Sequence, residues 1–518
     1  MNFNKKIWLL IFLSSLLRIW VGATLELGND EVYYQTYALH LQWNYFDHPP
    51  MVALMIRFFT ANLFFHHEFF IRLGSICCAA AGTWLIFKIG IRIGNEYTGW
   101  IAAILYNSSF YCSIIAGTFI LPDSPQVICW LLSIYFMIRI LEHSPGKKQP
   151  AVNFILLGIS SGLCIMSKVH GVFIWLGLGG FIIFNRRDLM KVPMLWISGL
   201  LTGLIIFPIY WWNYQNQFIT YQYHQGRISF WGKQPDLDHL MQQVLGSIFY
   251  NNPVNFVLYI IALVSIAKGR TGSIPSVYRL FLWLSLPLIL VLLWTSLFND
   301  TLPHWSGPAY LSLMLLTAHQ LSGKMAGPVN SGWLRAACWV YGSVIILGVL
   351  SIQFLPFRIG SENDKYTGKG DITLDMTGWG RFSRQLDSLY QADRISHRMK
   401  PDAAILSDYW FPAAHLDHYF GIPYHHNLLA FGPLQDIHHF AWLNQRRPRL
   451  KSGSDAYFIY SSNYYGPPKP SLKNEFNLVE DSLRFPQFRN GIPVRYFIIY
   501  RLHDFRGDSM DYLVPGIR

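Results

Sequence analysis

Long apolar runs separated by short polar segments dominate the chain up to about residue 354. A helix needs about 20 apolar residues to cross a bilayer, and about eleven runs approach that length. They lie at residues 7–24, 69–91, 99–119, 124–141, 151–167, 169–185, 192–212, 252–268, 278–298, 307–322 and 332–354. The pattern predicts an α-helical polytopic membrane domain over residues 1–354, with about eleven transmembrane helices.

The pattern changes after residue 354. Mixed polar sequence follows, and its apolar stretches are short and rich in β-branched and aromatic residues, as in AAILSDYW, AYFIYSS and VRYFIIYRL. Such stretches predict strands, and GRFSRQLDSLYQADRIS has the periodicity of an amphipathic helix. Residues 355–518 are therefore predicted to form a small extracytoplasmic α/β domain.

The composition supports a membrane protein, since 52% of the 518 residues are hydrophobic and only 14% are charged. A soluble protein carries roughly a quarter charged residues. The net charge of +12 comes from 41 Lys and Arg against 29 Asp and Glu. These cations stand in short groups between the apolar runs, whereas a nucleic-acid-binding protein clusters them on one face or tail. The distribution argues against a nucleic-acid partner.

The basic groups also predict the orientation in the membrane, because cytoplasmic loops retain Lys and Arg. Counting from the N-terminus, alternate connections carry the following cations: Lys5 and Lys6, Arg92, Lys147 and Lys148, Arg186 and Arg187, Lys268 and Arg270, and Lys324. These connections are predicted to be cytoplasmic. The loops 25–68, 118–125 and 213–250 are then predicted to be outside, and so is the C-terminal domain. The predicted location is the inner (cytoplasmic) membrane.

The first outer loop, residues 25–68, combines acids, histidines and aromatic residues in GNDEVYYQTYALHLQWNYFDHPP (28–50). Loops longer than about 15 residues are usually functional or disordered, and this one is too apolar for disorder. VYYQTYALHLQW and PMVALMIRFFTANLFF resemble amphipathic helices lying in the membrane interface. Pro49 and Pro50 end the first and permit the second to start. The loop suits a site at the boundary of water and lipid.

Further ionisable residues stand at the predicted outer ends of the spans: Asp123, Lys168, His170, Arg227, Asp300 and His304. Charges at the membrane boundary are costly and are candidates for function. Acids in a low dielectric need partners, so the set predicts a shared polar cavity on the outer face.

Each candidate also has a structural alternative. Asp47 stands at the DHPP break and Asp123 follows Pro122, positions where an acid often makes a turn. Lys168 has the position of a lysine that extends its ammonium from a helix end to water, and Arg227 that of a solvated rim cation. Glu31 has three open roles: to orient Asp30, to hold a cation, or to face water. The carboxylates also offer ligands to a divalent metal, although the sequence does not fix one.

The motifs DEVYYQTYALHLQWNYFDHPP, LPDSPQ, SKVHGV and PHWSGPAYLSL resemble the bacterial GT-C glycosyltransferases, which are related to the protein O-mannosyltransferases and the lipid A aminoarabinose transferases. The resemblance covers roughly residues 7–325. It implies a polyprenyl-phosphate-linked sugar donor and transfer on the outer face. The acceptor would be lipid A or lipopolysaccharide, another envelope glycan, or a protein.

The resemblance also implies roles for individual residues. Asp30 matches the catalytic acid of the first outer loop, and an acceptor hydroxyl that attacks the sugar needs such a base. Lys168 and His304 match positions suited to the lipid phosphate that leaves with growing negative charge. His48 stands where the aminoarabinose transferases carry a Lys, and a His is only partly protonated near neutral pH. The implied substrate-binding set is Glu31, Asp47, His48, Asp123, Lys168, Arg227 and His304.

Two other functions stay open at this point. A secondary transporter also places charges within its spans, but it should show paired broken helices or inverted repeats, and the sequence shows neither. A non-enzymatic lipid-binding or envelope-assembly subunit would act through the C-terminal domain. It would not require the cluster from Asp30 to His48.

Overall fold

The computed structural model describes residues 2–143, 150–269, 275–323, 328–464 and 466–507. Four of the predicted cytoplasmic cations, Lys147, Lys148, Arg270 and Lys324, lie outside these ranges. The chain forms two compact units, one of Met1–Gly22 with Gln42–Ile345 and one of Ala23–Leu41 with Ile346–Arg518. The domain boundary after residue 354 stays a prediction, and the two units are described in turn.

Helices make up the first unit, because apolar runs bounded by prolines, glycines and polar caps favour this structure. In chain order up to residue 354 the helices are α1 Phe3–Thr24, α2 Asn29–Leu39, α3 Met51–Phe59, α4 Glu68–Ile93, α5 Glu96–Ser108, α6 Asp123–Leu141, α7 Ala151–Ser167, α8 Phe173–Asn185, α9 Pro193–Gln215, α10 Ile219–Ile228, α11 Leu237–Tyr250, α12 Pro253–Ala267, α13 Ser276–Ser296, α14 Gly307–Ser322 and α15 Pro328–Phe354. Of these, α2 belongs to the second unit.

Every predicted span falls on helical structure, but the count of eleven is not confirmed. Among the described residues, six helices are long and apolar enough to cross a membrane: α1, α4, α6, α9, α13 and, within α15, residues Gly332–Phe354. The pair α11 and α12 adds a seventh span if it is one broken helix, and its two parts meet at 100°. The predicted span 99–119 is divided, because α5 ends at Ser108 and a π-helical turn follows at Tyr111–Ile115.

Small residues let the helices of the first unit approach closely, as is common in membrane bundles. A Cβ atom added at Gly90 of α4 would lie 2.6 Å from the Cα atom of Gly99 on α5. One added at Gly158 of α7 would lie 2.5 Å from the carbonyl oxygen of Ser198 on α9. Any larger residue at Gly90 or Gly158 would therefore push two helices apart.

The second unit contains a mixed sheet. Its strands are β1 Ala404–Ser407, β2 Leu428–Ala430, β3 Ala456–Ser461, β4 Phe476–Val479, β5 Leu483–Arg489 and β6 Ile492–Phe505. Their order is β2-β1-β3-β6-β4, and β5 also pairs with β6. The pairs of β1 with β2 and β3 are parallel, whereas β6 runs antiparallel to β3, β4 and β5.

Helices α16 Trp379–Ile395, α17 Trp410–Leu416, α18 Ile422–Tyr424, α19 Leu434–Ile437, α20 Phe440–Asn444 and α21 Pro470–Lys473 complete the described part of this unit. The predicted α/β domain is thus confirmed, with the three predicted strands at β1, β3 and β6 and the amphipathic helix at α16. Strands β2, β4 and β5 were not predicted. Strands β2 and β4 have only three or four residues, which carry too little periodicity to identify a strand, and β5 contains a proline and two arginines in LRFPQFR.

Candidate functional site

A buried ion pair lies in the first unit where α6 begins and α7 ends. Asp123 is the first residue of α6 and Lys168 caps the C-terminus of α7. The Lys168 ammonium donates to Asp123 Oδ2 at 2.8 Å, and their exposed fractions are only 4% and 2%. The Tyr111 hydroxyl donates to Asp123 Oδ1 at 2.9 Å. Both carboxylate oxygens are therefore bonded, as a buried charge requires.

This geometry differs from the structural alternatives for these two residues. A lysine that extends from a helix end places its ammonium in water, whereas the Lys168 ammonium is buried against a carboxylate. Asp123 is not a solvated turn acid either, since it is almost fully enclosed. The two residues that the sequence placed at separate span ends are brought together.

Arg227 of α10 is held by aromatic rings. Its guanidinium lies 4.9 Å from the ring centroid of Trp305 and 5.6 Å from that of Tyr223, which are cation–π distances. The ring of His170 lies 5.6 Å from the same Trp305, and Trp305 follows His304 directly in the chain. The indole of Trp305 thus connects the α10 cation to the two predicted histidines.

The histidines of this region are neutral near pH 7. Burial lowers the pKa of His304 to about 4, and the Lys168 ammonium lowers it as well. Burial lowers the pKa of His48 well below its usual value, and the charges of Lys168 and Arg227 act in the same direction. Burial and the neighbouring cations thus favour the neutral imidazole of His48, which can serve as a hydrogen-bonding group.

The DHPP segment is held against α10. The Thr220 hydroxyl donates to the Tyr45 carbonyl at 3.1 Å, and His224 Nε2 bonds the Asp47 carbonyl at 2.8 Å. Asp47 itself is buried. Because His224 and Arg227 are three residues apart on one helix face, the segment is fixed beside the Arg227 cation.

Six of the eight predicted site residues therefore belong to the first unit: Asp47, His48, Asp123, Lys168, Arg227 and His304. The charges of all of these except Asp47 act on one another. We call Asp123, Lys168, Arg227, His48 and His304 the cationic cluster. Lys168 is paired with Asp123, whereas the contacts of the Arg227 guanidinium in the described structure are with Tyr223 and Trp305 and not with a carboxylate. Such an arrangement can receive a phosphate group without a large rearrangement. A cavity shared by these residues stays a prediction.

Asp30 and Glu31 belong to the second unit, in the first turn of α2. Glu31 is buried, and its Oε2 atom accepts the backbone N–H of Gly28 at 2.9 Å. Glu31 thus stabilises the start of α2, which removes the option that it faces water. Asp30 is exposed, and a carboxylate in the first turn of a helix is favoured by the helix dipole.

Three contributing residues were not predicted. Tyr111 lay inside a predicted span, His224 belongs to a loop where only Arg227 was singled out, and Glu26 stands four residues before Asp30. Spacing could have indicated His224, since it lies on the same helix face as Arg227. Among the described residues, no group of three or more His, Cys, Asp or Glu side chains is arranged to hold a metal ion. The divalent metal stays untested.

Known proteins resemble this chain both in sequence and in fold. The sequence profile of the family described as dolichyl-phosphate-mannose-protein mannosyltransferase matches residues 47–212. The lipid A galacturonosyltransferase RgtD of Rhizobium johnstonii is 22% identical over 67% of this chain and 71% of its own length. The undecaprenyl phosphate-alpha-4-amino-4-deoxy-L-arabinose arabinosyl transferase of an Enterobacter species is 21% identical over 60% of this chain and 56% of its own length.

The solved structure of ArnT from Cupriavidus metallidurans has the same fold. Its apo form aligns with a TM-score of 0.60 and 13% identity over 96% of this chain and 98% of ArnT. The form bound to undecaprenyl phosphate aligns with the same TM-score and 14% identity. In sequence and in fold, the chain resembles the GT-C glycosyltransferases. Because the named relatives are glycosyltransferases, the resemblance favours a multi-span membrane enzyme over the transporter and the non-enzymatic subunit.

Proposed function

We propose that this GT-C glycosyltransferase transfers a sugar from a polyprenyl-phosphate donor to lipid A or another cell-envelope glycan, lipid or protein. Transfer takes place on the outer face of the inner membrane, where the C-terminal domain lies. The cationic cluster carries the proposal, because a lipid phosphate is the charged part of such a donor. The ArnT fold with bound undecaprenyl phosphate supports this choice of donor.

The cluster serves the leaving group in this proposal. When the bond between the anomeric carbon and the phosphate oxygen breaks, negative charge grows on the phosphate. Lys168 and Arg227 offer positive charge, and neutral His304 and His48 offer N–H donors. Asp123 holds the Lys168 ammonium in one orientation at 2.8 Å, so this donor needs no reorganisation during the reaction.

Asp30 is the general base of the proposal. It takes the proton of the acceptor hydroxyl as the oxygen attacks the anomeric carbon, and the sugar is transferred with inversion in a single displacement. Asp123 is a poor alternative, since its two oxygens already accept bonds from Lys168 and Tyr111. The exposed carboxylate of Asp30 can meet an acceptor.

Purified protein in lipid nanodiscs tests the proposal directly. Undecaprenyl-phosphate-linked sugars are supplied with lipid A, and mass spectrometry follows the glycosylated product and the released undecaprenyl phosphate. We expect both products in equal amounts from the parent and almost none from Asp30→Asn. Product formation that does not depend on the lipid-phosphate donor would contradict the proposal.

The orientation has its own test. A reporter that is active only in the cytoplasm, fused after Arg518, should be silent. A strong signal would place the C-terminal domain inside the cell and would contradict transfer on the outer face.

A further inference from the structure

The segment that precedes Asp30 is bound to the C-terminal residues of the second unit. Glu26 Oε2 accepts the backbone N–H of Trp379 at 2.8 Å, and Glu26 Oε1 accepts that of Gly380 at 3.0 Å. Trp379 and Gly380 are the first two residues of α16, which is 17 residues long. The first N–H groups of a helix have no partner within it, and the helix dipole favours a negative charge there. Glu26 satisfies both requirements at once.

Two more bonds hold the same segment. The backbone N–H of Leu27 donates to the Tyr419 hydroxyl at 2.9 Å, and His415 Nε2 lies 3.0 Å from Asn29 Oδ1. The C-terminal region thus bonds this segment at three positions, namely residues 26, 27 and 29, and each position has different partners. The bond at Asn29 lies one residue before Asp30.

The groups that make these bonds are themselves fixed by packing. The imidazole of His415 stacks on the indole of Trp379, with ring centroids 4.3 Å apart and an interplanar angle of 2°. The buried guanidinium of Arg495 lies 5.0 Å from the same indole. Burial lowers the pKa of Arg495 to about 10, and the negative charge of Glu26 opposes this change. Glu26 therefore bonds to a tightly packed region, in which the positive charge of Arg495 compensates its negative charge.

We infer that Glu26 is a positioning residue for Asp30. This inference rests on the proposed function, in which Asp30 is the base. Glu26 precedes Asp30 by four residues, and between them the chain enters α2 at Gly28. The bonds from Glu26 to α16 fix where this first turn lies, and with it the Asp30 carboxylate. A shift of about 1 Å in a reacting group can cost about 100-fold in rate.

A double-mutant cycle tests the inference through turnover. Glu26→Ala should lower kcat about 10- to 100-fold and change the KM for the donor by less than about threefold, because donor binding does not need the base. Glu26→Gln keeps the length and one acceptor oxygen, so its loss should be smaller. In an Asp30→Asn background, Glu26→Ala should change the residual rate by less than about threefold, because a residue that acts through Asp30 has nothing left to position.

A control separates positioning from folding. Asp393 is buried in the same unit, where it accepts bonds from Arg501 and Tyr457 and does not bond to residues 26–31 in the described structure. Asp393→Asn should lower the melting temperature and leave the kcat of the folded enzyme unchanged. Amide hydrogen exchange of residues 29–32 should accelerate in Glu26→Ala and not in Asp393→Asn.

Several results would overturn the inference. A kcat of Glu26→Ala within about threefold of the parent would do so, and so would an equal fold-loss from Glu26→Ala in both backgrounds. If Glu26→Ala does not fold, the Glu26→Gln enzyme is used instead. A parental kcat and parental amide exchange at residues 29–32 in that variant would also overturn the inference. Failure of the proposed function is a different result, namely a parent enzyme that transfers no sugar or an Asp30→Asn enzyme as fast as the parent.

Discussion

Asp123 and Asp30 both stand in the first turn of a helix, but their surroundings assign them different chemistry. Asp123 begins α6 with 2% of its surface exposed and with both oxygens bonded, to Lys168 and Tyr111. It cannot accept a proton without breaking a buried ion pair. Asp30, in the first turn of α2, is exposed. The comparison teaches that burial, more than residue type, decides which acid can serve as a base.

The cations of the first unit and the acids of α2 extend this contrast. The cationic cluster contains an arginine held by aromatic rings, a lysine held by a carboxylate and two neutral histidines. The start of α2 instead presents two carboxylates, of which Glu31 is bonded to the backbone. The cationic cluster suits the binding of a phosphate, and the carboxylates at the start of α2 suit the acceptance of a proton. The following variants test this division of labour.

The largest effect is expected from Asp30→Asn, which keeps the size of the side chain but removes its basicity. Loss of a general base costs about 100- to 10,000-fold, or about 3–5 kcal/mol of barrier. Turnover with a polyprenyl-phosphate sugar measures this. The control is Glu31→Gln, whose amide oxygen can still accept the Gly28 N–H, so it should do less harm. Transfer by Asp30→Asn within about threefold of the parent would remove Asp30 as the base.

Asp123→Asn should lower the free energy of unfolding more than any substitution at Asp30 does. It leaves the Lys168 ammonium buried without a counter-charge, and breaking a buried pair from one side costs about 3–5 kcal/mol of folding free energy. Thermal unfolding in nanodiscs measures the change, with Asp30→Asn as the matched control. Equal melting temperatures for the two variants would contradict the buried pair.

Lys168→Ala should reduce turnover or donor affinity by on the order of 100-fold in the protein that remains folded, since one donor to the developing phosphate charge is lost. Lys233 offers a matched lysine, because it bonds Asn299 outside the cationic cluster. Lys233→Ala should leave both kinetic constants near the parental values. Near-normal kinetics of Lys168→Ala would assign this lysine to structure alone.

His304→Gln should have the smallest effect, within about threefold at pH 7 to 8, because the neutral imidazole and the amide both donate a hydrogen bond. The folded pKa of about 4 lies below the ordinary value of 6.5. The neutral form therefore contributes stability that is complete above pH 6.5 and is lost as the pH falls towards 4.

Melting temperatures between pH 8 and pH 4 check this sign. The parent should lose more stability than His304→Gln below pH 6.5. A His304→Gln enzyme with strongly reduced turnover at pH 7.5 would contradict the expectation that an amide donor can replace the neutral imidazole.

Hydropathy and residue type along the chain predicted the helices and strands that form from neighbouring residues. Each predicted span falls on helical structure, and the strands β1, β3 and β6 stand where apolar β-branched stretches predicted them. Asp123 and Lys168 were also predicted, since a charge at a span end is conspicuous. The divided span at 99–119 was not, because a π-helical turn leaves no mark in hydropathy, and with it the role of Tyr111 was missed.

The remaining features depend on contacts between distant parts of the chain. Glu26 and Trp379 are 353 residues apart, and no periodicity connects them. The neutral state of His48 and His304 depends on enclosure by several helices and on the nearby Lys168. The sequence could suggest these residues as candidates, but their partners and charge states required the folded structure.

Binding of undecaprenyl phosphate to two variants tests the division of labour most directly. In one preparation, the dissociation constant is measured for the parent, Asp30→Asn and Lys168→Ala, with folding checked by melting temperature. We expect Asp30→Asn to bind within about threefold of the parent and Lys168→Ala to bind at least about tenfold more weakly, because only the lysine meets the phosphate. The reverse order, with binding lost in Asp30→Asn and kept in Lys168→Ala, would contradict the assignment of both residues.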